Sequence, residues 1–202
     1  MVAIIDYGVG NLFSLQCSLK KIGVEAVVTN DKSVIADADR IILPGVGAFG
    51  DAIKKLQSTG LVDFIKEQAE NGKPFLGICL GMQLLFEKGY EYGEHMGLGF
   101  LKGNVVAMKG VIPEELKIPH MGWNALDIKA HSPIFKYIEQ GDFVYFVHSY
   151  FATDCDDSLI ASAEYGIPVT AAVGKGNIFG CQFHPEKSGD VGLKILKAFC
   201  EI

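Results

Sequence analysis

Of the five cysteines in the chain (Cys17, Cys79, Cys155, Cys181 and Cys200), one stands where it could act as a nucleophile. Cys79 lies in Lys73-Pro-Phe-Leu-Gly-Ile-Cys-Leu-Gly-Met-Gln83. An apolar, strand-like run enters it and a helix-like run, Leu80 to Glu87, leaves it. Gly77 and Gly81 flank it at minus two and plus two, which is the cysteine form of a nucleophile elbow. In an elbow the nucleophile tops a sharp, strained turn, and the flanking positions lie too close to their neighbours for a Cβ. The departing helix directs its positive end at the sulfur and favours the thiolate, the reactive form. The Leu80 N–H then faces the place where an oxyanion would form. The alternative is a buried cysteine in a tight strand–helix turn. For Cys17 and Cys200, on apolar helix faces, that plainer reading as core thiols holds.

A cysteine nucleophile needs a base. Among five histidines, His184 stands out in Gly180-Cys-Gln-Phe-His-Pro-Glu186. Pro185 drives His184 into extended geometry. Residues i and i+2 of an extended segment face the same side, so Glu186 can reach and orient the His184 ring. Cys79, His184 and Glu186 then supply nucleophile, base and orienter. A structural histidine at a strand end is the alternative, and His-Pro-Glu alone is a weak signal. Its weight comes from sharing a chain with the cysteine elbow.

The loop Leu43-Pro-Gly-Val-Gly-Ala-Phe-Gly50 follows a strand, as the companion oxyanion loop does in elbow enzymes. Gly45, Val46 and Gly47 are its candidate residues. Gly45, Gly47 and Gly50 also fit the dinucleotide-binding glycine pattern. The acidic residue expected ~20 residues later at the end of a strand is missing, because that stretch reads as helix. The turn at Gly8 and Gly10 has Phe13 where a third glycine belongs. A nicotinamide cofactor is therefore rejected, and no cofactor is expected. No cluster has the spacing of metal ligands, so no metal is expected either.

These residues must be held by alternating strands and helices. Strands are predicted over Val2–Asp6, Glu25–Thr29, Arg40–Leu43 and Pro74–Ile78. Helices are predicted over Asn11–Ile22, over Phe49–Asn71 with a break near Gly60, and over Leu80–Glu87. Continuous apolar strands joined by helices imply a parallel sheet covered on both faces. The second half reads as strands: Asn104–Met108, Trp123–Ile128, Phe143–Tyr150, Leu159–Glu164, Val169–Val173 and Asn177–Phe183. A final amphipathic helix spans Asp190–Cys200. The expectation is one α/β domain over residues 1–202, its mostly parallel sheet flanked by helices and extended by antiparallel strands.

At 202 residues, with 49% hydrophobic and 21% charged residues, the chain has the make-up of an ordinary globular domain. Its net charge of -6 argues against a general nucleic-acid or membrane-surface binder. The longest apolar stretch, Pro74 to Phe86, falls short of the ~20 residues of a membrane span. The start, Met-Val-Ala-Ile-Ile-Asp, reads as a strand and not as a signal peptide. An odd number of scattered cysteines fits a reducing, cytoplasmic setting.

Pro74-Phe-Leu-Gly-Ile-Cys-Leu-Gly-Met-Gln83 together with Phe183-His-Pro-Glu186 resembles the class I (triad) glutamine amidotransferases. Further segments carry the likeness along nearly the whole chain: Asp6-Tyr-Gly-Val-Gly-Asn-Leu12, Pro44-Gly-Val-Gly-Ala-Phe49, Pro119-His-Met-Gly-Trp-Asn124, Phe146-Val-His-Ser-Tyr150 and His184-Pro-Glu-Lys-Ser188. Within the family they are most similar to the glutaminase subunits that serve a (β/α)8 cyclase of histidine biosynthesis.

The resemblance implies a flavodoxin-like fold and glutamine hydrolysis through a glutamyl thioester on Cys79. It implies that Gln83, Ser149 and Tyr150 hold the glutamine, and that the chain forms a heterodimer with the cyclase. It places Asn11, His120, Trp123, Tyr145 and Lys187 at or near that interface. Free ammonia is mostly protonated near neutral pH and then not nucleophilic, so it must be passed without meeting water. No acceptor-binding segment is left over in the chain, so the synthase would be another polypeptide, or the enzyme a plain hydrolase. Glycines on both sides of Val46 let its peptide planes rotate, so the partner could turn an oxyanion donor into place. Two readings compete: a glutaminase subunit serving a paralogous pathway, and a cysteine hydrolase of another class on the same elbow.

Overall fold

Val2, Ala3, Ile4 and Ile5 are all buried. Val2 and Ile4 pack into one apolar layer, and Ala3 and Ile5 into another. That is the behaviour of a strand covered on both faces, and it sets the architecture. The computed structural model describes residues 1–202.

In chain order the elements are β1 (Val2–Ile5), α1 (Leu12–Lys21), β2 (Ala26–Thr29), α2 (Lys32–Asp37), β3 (Arg40–Gly45), α3 (Phe49–Ser58), α4 (Val62–Glu70), β4 (Phe75–Cys79) and α5 (Leu80–Gln83). There follow β5 (Phe86–Gly89), β6 (His95–Met96), β7 (Leu101–Ala107), β8 (His120–Ala125), β9 (Asp127–Ile128), β10 (Phe143–His148) and β11 (Tyr150–Thr153). The chain closes with β12 (Leu159–Glu164), β13 (Pro168–Lys175), β14 (Ile178–Cys181) and α6 (Gly189–Phe199).

The main sheet has the order β2-β1-β3-β4-β14-β13-β12-β9. Its first five strands are parallel, in the flavodoxin-like order. The last three are antiparallel, as the sequence predicts for the extension. The other late strands leave this sheet. β8 and β10 form a two-stranded ribbon, and β11, β7, β5 and β6 form a separate four-stranded sheet. The expected parallel sheet with its antiparallel extension is thus present, and two smaller sheets stand beside it.

The predicted helix over Leu80–Glu87 shrinks to the single turn Leu80–Gln83. Phe86–Gly89 is strand instead, pairing with β6 and β7. Beside it the Leu84 and Leu85 carbonyls accept from Leu98 and Leu101 N–H. A short apolar run suits a buried helix or a buried strand equally, and here long-range pairing decides. The Phe143–Tyr150 strand divides at Ser149 into β10 and β11, and Trp123–Ile128 divides at buried Leu126. Helix α2 is one that periodicity does not reveal. Its start is nonetheless capped, Asp31 Oδ1 accepting from Ser33 N–H at 2.7 Å. Cys17 is exposed on α1, because Leu15 and Leu19 form the buried face, so its expected place in the core is corrected.

Candidate active site

Cys79 ends β4 and caps the turn into α5 with φ 53° and ψ -112°. This is a strained conformation for a residue with a Cβ, costing about 1–3 kcal/mol, and such strain persists only where the surroundings enforce it. The enforcement comes from glycines. A Cβ on Gly81 would lie 1.8 Å from the Leu43 carbonyl oxygen, and one on Gly77 would lie 2.6 Å from the Gly81 carbonyl oxygen. Strand, turn and neighbouring strand close on one another only without those carbons. The one-turn α5 corrects the idea of a long helix dipole behind the sulfur. What this turn supplies is local N–H groups at its start.

β14 lies beside β4 in the parallel sheet and leads directly into His184. The His184 backbone is extended, at φ -100° and ψ 97°. Pro185–Lys187 then forms a 3-10 turn and not a continued extended segment. Glu186 reaches the ring all the same, its Oε1 accepting from His184 Nδ1–H at 2.8 Å. Three further bonds lock the histidine to β10. His184 N–H donates to Tyr145 O at 2.9 Å, Ser188 Oγ donates to His184 O at 2.7 Å, and Tyr145 N–H donates to Ser188 Oγ at 2.9 Å.

With Nδ1–H given to Glu186, Nε2 is the ring nitrogen left to serve Cys79. Burial of the imidazole acts against its charge. Hydrogen bonding and charge interaction with Cys79 and Glu186 outweigh burial and raise the ring to about 10. The buried Glu186 Oε2 has no hydrogen-bond partner. The His184 and Glu186 side chains are both 3% exposed, so little water screens the pair.

The sulfur opens into a cleft of about 390 Å³. Val46, Gly47, Leu80, Gln83, Ser149, Tyr150, His184 and Lys187 line it with Cys79. Gly45 is buried at the end of β3, in register with Cys79. Tyr7 Oη donates to the Pro44 carbonyl at 2.7 Å and holds the root of that loop. Its tip is free: Val46 is 43% exposed, and Gly47 sits at φ 96° with open space around it. Neither Val46 N–H nor Gly47 N–H donates to a protein acceptor. Two unspent donors therefore border the cleft.

Of the residues assigned by resemblance to a partner surface, Trp123 is exposed and packs edge-on to Tyr145 at 6.0 Å. Lys187 Nζ lies 6.0 Å over the Tyr145 ring and also borders the cleft. Asn11 is half-buried just before α1. His120 is fully buried, stacked on Tyr165 and Phe146, with its Nδ1 3.0 Å from His148 Nε2. It lies beneath that surface and not on it.

Glu91, Pro119, Val147 and His148 line the cleft without having been singled out from sequence. Glu91 also accepts from Phe49 N–H at 2.8 Å, tying the cleft wall to the start of α3. His148 is kept neutral by burial, which pushes it down to about 3, and its Nδ1–H donates to the Tyr150 carbonyl at 2.8 Å. Gln182 is another such residue, fully buried beside the sulfur. Its position one residue before Phe183-His184 is the sole sequence hint.

A strained cysteine elbow on a flavodoxin-like sheet, facing a His–Glu pair, defines a class of thiol-dependent acyl-transfer and hydrolytic proteins. The profile of the family described as glutamine amidotransferase class-I matches residues 3–201, and the chain belongs to that family. It is similar to the imidazole glycerol phosphate synthase subunit HisH of Caldanaerobacter subterraneus subsp. tengcongensis. There identity is 54% over 203 residues, covering 100% of this chain and 98% of that protein. The subunit HisH of Lactococcus lactis subsp. lactis is 53% identical over 201 residues, covering 99% and 98%. The structure of PurLQS from Thermotoga maritima shares the fold. Its TM-score is 0.77 at 23% identity, covering 99% of this chain and 97% of that one.

Proposed function

We propose that the chain is the glutamine-hydrolysing subunit of an imidazole glycerol phosphate synthase, acting in histidine biosynthesis. One observation carries the chemistry: a strained Cys79 opens into a cleft it shares with a His184 ring held by Glu186. Near-half identity over the full length to relatives named for that synthase carries the pathway.

The Cys79 thiolate attacks the side-chain amide carbon of glutamine. The oxygen that becomes negative meets the Leu80 N–H and an N–H of the Val46–Gly47 loop. His184 gives its Nε2 proton to the departing nitrogen and ammonia leaves, with a glutamyl thioester on Cys79. His184 then takes a proton from water, the hydroxide adds to the thioester, and glutamate departs as the thiolate re-forms. Gln83, Ser149 and Tyr150 hold the amino-acid end. The Glu91 carboxylate supplies the negative charge that an α-ammonium group requires.

Ammonia is used by a second subunit, a (β/α)8 cyclase joined to this chain as a heterodimer. The exposed Trp123 and Met121, with Tyr145 beneath the Lys187 that borders the cleft, fit that contact. Asn11 lies at its edge, and His120 supports it from below. The test is glutamate release from glutamine by the chain alone and with the synthase subunit of its own organism. Cys79→Ala serves as the control. Release that survives in Cys79→Ala overturns the reading.

A further inference from the structure

Beneath the nucleophile lies a buried amide relay that the triad does not explain. Gln182 is 0% exposed and its Nε2 lies 3.8 Å from Cys79 Sγ. Its Oε1 accepts from Gln83 Nε2 at 3.0 Å, and the same Gln83 nitrogen donates to the Tyr150 carbonyl at 3.0 Å. The direction of the relay follows from its anchor. The Tyr150 carbonyl only accepts, so the NH₂ end of Gln83 must face it. The second N–H of that group points at Gln182, which must answer with its oxygen. The Gln182 NH₂ is thereby turned toward the sulfur.

As a thiol, Cys79 has a different option, since its Sγ lies 4.0 Å from the Val147 carbonyl and can donate there. As a thiolate it has no proton to give and needs donors. Gln182 is a fixed one, whereas His184 gives its proton away during the reaction.

We infer that Gln182 is a thiolate-orienting residue, held in its donor orientation by Gln83 and the Tyr150 carbonyl. It favours the reactive form of Cys79 and receives the sulfur again when the thioester breaks. The inference rests on Cys79 being the nucleophile proposed above. It also gives Gln83 a second role: both N–H groups are spent on the relay, and only its Oε1 is left for the amino-acid substrate.

The test removes the donor at constant shape with Gln182→Met in the full chain. Iodoacetamide labelling of the Cys79 peptide, read by mass spectrometry, reports thiolate without reference to glutamine. In Gln182→Met, labelling near neutral pH slows about tenfold, the loss expected for one hydrogen bond to a charged group. Glutaminase kcat falls by a similar factor with KM little changed. Unchanged labelling in a folded Gln182→Met protein overturns the inference.

Should that variant fail to fold, the chain with Gln182 intact decides. One Gln182 side-chain amide proton moves upfield when the sulfur is removed in Cys79→Ala, and a proton that stays put overturns the inference. Activity remaining in Cys79→Ala would instead overturn the underlying reading. Loss of activity in Cys79→Ala with normal labelling in Gln182→Met would remove only the relay.

Discussion

Cys79 and Gly45 stand side by side in register at the C-terminal ends of β4 and β3. The proposed nucleophile and the root of the proposed oxyanion loop are therefore adjacent rungs of one parallel ladder. A Cβ on Gly45 would lie 2.8 Å from both Gly81 N and Tyr7 Oη. The loop root is held as firmly as the elbow, while the tip beyond it is free. Active groups gather at this edge because parallel strands deliver their C-termini there together.

The elbow glycines make a sharp prediction about stability. Gly81→Ala forces a methyl group against the Leu43 carbonyl, and neither backbone can yield. The variant is expected to lose about 3 kcal/mol or more, or to fail to fold. Gly47→Ala meets no neighbour and suffers only the cost of positive φ, about 1–2 kcal/mol. Denaturant melts of the two variants check the contrast, and equal losses would contradict it.

Removing the nucleophile should leave the fold intact. Cys79→Ala keeps the Cβ, so the strained turn is unchanged, and it deletes only the sulfur; its melting temperature is expected to stay within about 4 °C of the wild type. Glutamine hydrolysis should fall to background, a loss of about 10⁶-fold by comparison with other triads. A coupled glutamate assay measures it.

The raised His184 imidazole makes stability depend on pH with a definite sign. Burial opposes the ring's charge, but Cys79 and Glu186 hold it at about 10. The unfolded ring titrates at its ordinary value near 6.5. Between those values the folded chain keeps a proton that the unfolded chain has lost. This contribution is complete below the lower value and disappears as pH rises through the upper one. Glu186→Gln should flatten the fall of melting temperature between about pH 7 and 10, and lower kcat by about 10²–10⁴-fold. Parallel melting curves for variant and wild type would count against the assignment.

Glu91 faces the cleft and caps Phe49 N–H through the same carboxylate. Glu91→Gln can keep an oxygen for Phe49 but has no charge for an α-ammonium group. The expected result is a KM for glutamine raised about 10–100-fold, the cost of about 1.5–3 kcal/mol for a charged hydrogen bond. The effect on kcat should be smaller. Steady-state kinetics of glutamate release separates the two.

Trp123, 51% exposed against Tyr145, has the character of an interface anchor. Trp123→Ala is expected to weaken binding to the synthase subunit by about 2 kcal/mol, roughly 30-fold in Kd. Titration calorimetry reads this directly. If the free loop tip at Val46 awaits that partner, the isolated chain should hydrolyse glutamine far more slowly than the complex. Equal rates would remove the switch.

The elbow, the His-Pro-Glu pair and the parallel half of the sheet are legible in the residues alone. All three are local. A strand–turn–helix with glycines at minus two and plus two is specified within five residues, and Pro185 restricts His184 from the next position. Apolar strands without alternation announce a doubly covered sheet in the same local way.

The surroundings of the sulfur emerge only in the packed fold. Gln182 meets Cys79, and Glu91 meets Phe49, only because sheet register and a loop far along the chain bring them together. Neither Gln182 nor Glu91 sits in a pattern that marks it. The same long-range pairing turned Phe86 and Glu87 from helix into strand, while packing of Leu15 and Leu19 against the core left Cys17 in solvent. Steric exclusion at a turn acts between near neighbours and is written in residue types. Hydrogen bonds to a buried sulfur depend on which distant strands end side by side, and that is settled only when the core has packed.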